Sequence, residues 1–137
     1  MMNNIHATCI KLKNKGILFL GLSGSGKSDL ALRLIINHKA KLIADDRVDV
    51  CVKGDKVYAS SPKILKGLLE VRGIGIVPIK HLSQNRIHCV VELISSKPDR
   101  MPENMKYEIN GVKLPLIKLN PFEVSAPEKI ITWVSLL

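Results

Sequence analysis

An apolar run of strand length, Gly16–Leu20, leads directly into Gly21-Leu22-Ser23-Gly24-Ser25-Gly26-Lys27-Ser28, and helical apolar spacing begins at Asp29. The central residues fit G-x-x-x-x-G-K-[ST], the pattern of a phosphate-binding loop set between a strand and a helix. That pattern leaves few folds open. The strand must lie in a sheet that delivers the glycines at its end, and the helix must pack back onto that sheet. Glycines let backbone amides converge on phosphate oxygens, and the helix N-terminus adds favourable potential for an anion. Gly21, Leu22, Ser23, Gly24, Ser25, Gly26, Lys27 and Ser28 are therefore the candidate nucleotide-binding residues. Lys27 is placed to reach the β- and γ-phosphates, and Ser28 to offer its hydroxyl to Mg²⁺.

The 137 residues suit one domain, spanning 1–137, with enough chain for a real core. Cys9, Cys51 and Cys89 are widely spaced, with no Cys-x-x-Cys, and read as small buried hydrophobes rather than a disulfide frame or a zinc site. Net charge is +9, from 21 basic and 12 acidic residues, but the basic residues are scattered and aromatics are only 4%. With so little to stack on bases, nucleic acid is not expected as a principal partner. The charge suits an anionic nucleotide and an acidic protein partner. No apolar run approaches the ~20 residues of a membrane span, and the N-terminus lacks a signal-peptide core, so a cytoplasmic protein with no membrane partner is expected.

Ile5–Lys13 alternates and reads as a first strand, turning at Asn14–Gly16 into Ile17–Leu20. Ser28–His38 reads as a mostly buried helix, with Asp29 and Arg33 spaced to pair. Lys41–Ala44 is a short strand, and Val48–Val52 with Lys56–Ala59 form a hairpin around Gly54-Asp55. Ser61-Pro62 reads as the start of a second helix running to Glu70. Ile74–Ile79 is a strand interrupted by Pro78, and Arg86–Ile94 is the longest strand. Asn110-Gly111 joins Lys106–Ile109 to Val112–Leu119 in another hairpin. Ser125-Ala126-Pro127-Glu128 fits a capping box for a last helix, Lys129–Leu137, which Trp133 anchors to the domain. The expectation is an α/β fold with a mixed sheet, about three helices and about eight short strands.

Three places outside the loop can carry chemistry. Asp45 and Asp46 end an apolar strand; if the chain stays extended, only one of the two can face Lys27. Glu70-Val71-Arg72-Gly73-Ile74-Gly75 sets a carboxylate and a guanidinium beside two glycines, which allow backbone to come close to a ligand. His6 reaches the phosphate site if its strand lies beside the one leading into the loop.

Taken together, Gly21–Ser28, Ile43-Ala-Asp-Asp-Arg-Val-Asp49 and Leu69-Glu-Val-Arg-Gly-Ile-Gly-Ile76, with His6 ahead of them, resemble the catalytic C-terminal domain of HPr kinase/phosphorylase. The Leu69–Ile76 stretch is the most specific, because generic phosphate-binding-loop proteins lack it. The resemblance implies an ATP-dependent serine kinase acting on HPr or an HPr-like phosphocarrier of the sugar phosphotransferase system, with the reverse phosphorolysis as a second activity. It implies a fold like the nucleotide-binding core of phosphoenolpyruvate carboxykinase. It implies ATP, with pyrophosphate as an alternative donor, and Mg²⁺. Lys27 would contact phosphates, Ser28 and Glu70 would hold Mg²⁺, Asp46 would be the acid/base, and His6 would belong to the active site. Members assemble as hexamers, so a homo-oligomer is expected. Lacking the additional N-terminal domain of full-length members, the chain resembles a short form. Full-length members carry an Arg-Pro-Gly-Arg-Asn-like stretch where this chain reads Leu114–Pro121 without arginine, so that active-site arginine has no counterpart here. Read without the resemblance, the residues also accommodate a small-molecule kinase or a non-catalytic nucleotide sensor.

Overall fold

The computed structural model describes residues 2–137. In chain order its elements are β1 (Met2–His6), β2 (Thr8–Leu12), β3 (Lys15–Leu20), α1 (Lys27–His38), β4 (Lys41–Ala44), β5 (Arg47–Lys53), β6 (Lys56–Ser60), a 3₁₀ turn (Lys63–Leu65), β7 (Leu68–Val71), β8 (Gly75–Pro78), β9 (Gln84–Ile87), β10 (Cys89–Leu93), β11 (Met105–Ile109), β12 (Val112–Leu119) and α2 (Ala126–Val134). Six strands form a mixed sheet in the order β11-β12-β10-β3-β2-β4. In it β10 runs parallel to β3 and β12, while the β2–β3, β2–β4 and β11–β12 pairs are antiparallel. Four strands form an antiparallel sheet, β1-β5-β6-β9, and β7 pairs with β8 alone.

Side-chain alternation along β3 builds the layers. Ile17 and Phe19 join Ile10, Leu30, Leu34, Ile130 and Val134 in a core between the six-stranded sheet and the two helices. Leu18, one residue out of phase, joins Cys9, Val48, Val50, Val57, Ile87 and Val90 in a second core between the two sheets. A strand buried on both faces needs apolar residues at consecutive positions, and Ile17-Leu18-Phe19 supplies them. As expected, Trp133 packs against the helix-side core, and Cys9 and Cys89 are buried as small apolar groups, whereas Cys51, expected to be buried with them, is only half-buried. Burial holds the Cys9 thiol far above its ordinary range and pushes that of Cys89 up to about 12.

Several expectations change. Among the described residues there are two α-helices, not three, and twelve strands. The helix expected from Ser61 to Glu70 stops after the 3₁₀ turn. Gly67 adopts φ 69, which a right-handed helix cannot continue through, and Leu68–Val71 pairs as a strand with Gly75–Pro78. Ser61 donates to the Pro62 carbonyl rather than capping a helix. The first strand breaks at Ala7: β1 pairs with β5 in one sheet and β2 with β3 in the other. Arg86–Ile94 likewise breaks at His88, between β9 and β10, which belong to different sheets. The last helix starts at Ala126, and Ser125 makes no side-chain cap.

At the His88 break, Gly16 and His88 lock together. The Gly16 amide donates to His88 Nδ1 at 3.0 Å, and the His88 amide donates to the Gly16 carbonyl at 2.8 Å. A Cβ on Gly16 would lie 1.9 Å from the Arg86 carbonyl oxygen, so glycine is required there by close backbone approach. Burial, reinforced by the cations of Arg86 and Lys15, lowers the His88 pKa and favours the neutral ring that accepts this bond.

Candidate active site

The mixed sheet delivers Gly21 at the C-terminal end of β3, and α1 begins at Lys27. Between them the loop curls tightly. Gly26 adopts φ 100, and Pro121 packs where its Cβ would be, with Cγ at 3.1 Å. Ser25 N–H donates to Leu22 O, while Lys27 Nζ donates to the carbonyls of Gly21 at 2.7 Å and Leu22 at 3.0 Å. The amine is thus folded onto the loop it serves. Burial lowers its pKa, and the nearby carboxylates of Asp45 and Asp46 oppose that shift.

The loop opens onto a cleft of about 510 Å³, within the range of small-molecule sites. His6, Lys27, Ser28, Asp46 and Glu70 all line it, although they come from β1, the loop and start of α1, the β4–β5 corner and β7. Leu22 is 85% exposed, and Gly21, Leu22 and Ser25 contribute to the loop without lining the cleft.

Of Asp45 and Asp46 only Asp46 lines the cleft, although not through the extended chain that the expectation assumed. The chain is not extended there: Asp46 has φ 69, in the left-handed region that aspartate and asparagine enter more readily than other residues with side chains. Asp45 is buried. Its Oδ1 accepts from Thr8 Oγ1 at 2.8 Å and Ser28 Oγ at 2.7 Å, and its Oδ2 accepts from the Glu70 amide at 3.1 Å. One carboxylate therefore ties β2, the start of α1 and β7 together. Asp46 instead faces the cleft, and its Oδ1 lies 3.4 Å from His6 Nε2.

His6 arrives by a different route from the one anticipated. Its strand is not beside β3. β1 pairs with β5, with His6 opposite Arg47, so His6 stands next to Asp46 across the smaller sheet. Asp29 and Arg33 do not pair either. Arg33 reaches the carbonyls of Pro121, Glu123 and Val124 instead.

The oxygen donors suit Mg²⁺. Ser28 and Glu70 both line the cleft beside the loop, and Mg²⁺ is commonly held by one or two carboxylates together with substrate phosphates. Among the described residues no three His, Cys, Asp or Glu side chains form a metal cage by themselves.

Among the residues that line the cleft, Thr8 and Phe122 were not singled out from the sequence, and Arg72 was noted only for its guanidinium. Thr8 lines the cleft two residues after His6. Arg72 lines it too, with Nη2 3.5 Å from where a Gly24 Cβ would lie. Its place in the Glu-Val-Arg stretch was the available signal. Phe122 had no sequence signal.

The family model described as HPr Serine kinase C-terminal domain matches residues 1–132. A protein named HPr kinase/phosphorylase from Lactobacillus acidophilus is 38% identical over 97% of this chain and 45% of its own length. One of the same name from Chloroherpeton thalassium is 35% identical over 83% of this chain and 37% of its own length. The chain thus spans less than half the length of these relatives. The solved structure of the Hpr(Ser) kinase/phosphatase from Coxiella burnetii superposes with a TM-score of 0.84 at 26% identity, covering 98% of this chain and 95% of that one. Matched along nearly its whole length by sequence and in three dimensions, the chain belongs to the HPr serine kinase C-terminal domain family.

Proposed function

We propose that residues 1–137 act as one catalytic unit, an ATP-dependent protein-serine kinase whose acceptor is HPr or an HPr-like phosphocarrier. The observation that carries this reading is the convergence of Lys27, Ser28, His6, Asp46 and Glu70 on one cleft in a fold of this family. The nucleotide's phosphates lie along Gly21–Ser28, where the start of α1 favours anions. Lys27 turns from the loop carbonyls to the phosphates, whose negative charge supplies the counter-ion that favours the protonated amine. Ser28 and Glu70 would hold Mg²⁺, which would supply electrostatic stabilisation of charge on the phosphoryl oxygens. Asp45 keeps the Ser28 hydroxyl oriented by accepting its proton side.

Asp46 takes the proton of the acceptor serine as that oxygen attacks the γ-phosphoryl group. His6, beside it, orients the carboxylate. In reverse, protonated Asp46 returns the proton to the serine oxygen while inorganic phosphate attacks phosphoserine and forms pyrophosphate. Arg72, at the cleft edge, supplies a guanidinium in a chain whose Leu114–Pro121 stretch has none. Assembly as a homo-oligomer, a hexamer in the family, and a cytoplasmic location belong to the same reading. Among the described residues no helix is long and apolar enough to cross a membrane.

The test is incubation with γ-labelled ATP, Mg²⁺ and HPr. Label is expected on an HPr serine. Bound nucleotide without transfer to HPr would remove the protein-kinase reading in favour of a sensor, and transfer to small hydroxyl metabolites alone would favour a small-molecule kinase.

A further inference from the structure

Phe122 is a large aromatic left 69% exposed, yet it is not on a loose segment. The turn that carries it is braced on both sides. The Phe122 amide donates to Asn120 Oδ1 at 3.0 Å. Arg33, from α1, donates to the Pro121 carbonyl at 2.6 Å and to those of Glu123 and Val124 at 3.2 and 3.4 Å. Pro121 packs on Gly26, and Phe122 Cζ lies 3.5 Å from where a Gly26 Cβ would stand. The ring is therefore held at the rim of the phosphate loop, and it lines the same cleft as Lys27 and Ser28. Apart from Phe122, the large apolar side chains lining that cleft are Leu32, one helical turn beyond Ser28, and Val71. The other lining side chains named above are polar or charged and suit phosphate, metal and proton transfer.

A largely exposed aromatic ring held beside a phosphate cradle is a surface on which a nucleobase can stack. We propose that Phe122 is the base-stacking platform of the site and the residue that makes it prefer a nucleoside triphosphate over a bare polyphosphate. The proposal rests on the nucleotide-binding reading of the Gly21–Ser28 loop and adds the part of the ligand that the loop does not touch. Stacking uses the flat face common to all bases, so purines should bind better than pyrimidines through their larger area, with little discrimination between adenine and guanine. It follows that inorganic tripolyphosphate, which has phosphates and no base, is indifferent to Phe122.

The experiment measures dissociation constants for ATP and for tripolyphosphate, each with Mg²⁺, on the full chain and on Phe122→Ala and Phe122→Trp. The wild-type chain is expected to bind ATP more tightly. Phe122→Ala should weaken ATP by about 5- to 150-fold, the range for loss of one base–aromatic stack, and leave tripolyphosphate unchanged. Phe122→Trp should restore the ATP preference. Unchanged tripolyphosphate binding also serves as the check that the loop remains folded. Equal loss of both ligands in Phe122→Ala overturns the proposal, because the ring would then act only by shaping the loop through Gly26. Unaltered ATP binding with weaker phosphorylation of the protein acceptor overturns it as well, and assigns Phe122 to acceptor docking. A wild-type chain that binds both ligands equally removes base recognition but keeps the phosphate site, whereas one that binds neither removes the nucleotide-binding reading itself.

Discussion

On one side the cleft rests on β2 and β3, where Thr8, Cys9, Ile10, Ile17, Leu18 and Phe19 are all completely buried. On the other side it is bounded by the end of β7, part of a two-stranded hairpin with β8 in which Leu69 is buried while Glu70, Ile74 and Ile76 are exposed. Both walls present chemistry to the same space, but only the first is part of a sheet covered on both faces. Local stability follows buried apolar contact and protected backbone pairing, so the first wall is a scaffold and the second can adjust to what occupies the cleft. Asp45 is the joint between them, since it accepts from Thr8 on one side and from the Glu70 amide on the other. Asp46, one residue further, leaves the scaffold for the cleft.

The contrast can be broken at each of these points. On the proposed kinase reading, Asp46→Asn should lower kcat for phosphoryl transfer by about 10²- to 10⁴-fold, the loss expected for a positioned base. Its melting temperature should stay near wild type, because asparagine tolerates positive φ well. A large shift in melting would place Asp46 in the scaffold instead. Asp45→Ala leaves the buried Thr8 hydroxyl without its acceptor and frees Ser28 and the Glu70 amide. Denaturant unfolding should report a loss of about 3 kcal/mol, together with weaker nucleotide binding. Gly16→Ala forces a methyl against the Arg86 carbonyl, and should cost about 2–3 kcal/mol without touching the cleft.

His88 makes the scaffold pH-sensitive. Its folded pKa lies below the ordinary value of 6.5, so the unfolded chain binds the proton more readily. The stabilisation is complete above pH 6.5 and is lost as pH falls through the lower folded value. A His88→Gln variant should flatten this part of a stability–pH profile; an unchanged slope would mean that another group sets it. The smallest effect is expected on the hairpin wall. Ile76→Ser, at a side chain 69% exposed, should change unfolding free energy by no more than about 0.5 kcal/mol. A loss of several kcal/mol there would show the two walls to be equally structural.

Much of the site was legible because its residues carry their chemistry in short local patterns. The loop, the start of α1, the Asp45-Asp46 pair and Glu70 can be read from neighbours in sequence. The hairpins at Gly54-Asp55 and Asn110-Gly111 were equally legible, since turn residues act locally; Asn110 and Gly111 have φ 45 and 86, as a tight turn between β11 and β12 requires. The helix expected at Ser61–Glu70 failed for the converse reason. Ile64, Leu65, Leu68 and Leu69 have helical spacing, but Ile64 is 86% exposed and Leu69 is buried from a strand. Apolar spacing in so short a run does not choose between periods.

The glycine-rich stretch from Gly21 to Ser28 and its flanks determined by themselves that a strand should deliver a loop to a helix, because that requirement lies within contiguous backbone. Tertiary structure alone decided what surrounds the loop. The breaks at Ala7 and His88 move a continuous-looking strand from one sheet to another. The first puts His6 beside Asp46, and the Arg33 contacts fix Phe122 at the rim. These arrangements depend on which strand pairs with which and on which carbonyls a long side chain can reach. Contacts between residues far apart in the chain, such as Arg33 and Pro121, are set by packing of whole layers and have no signature in either segment alone.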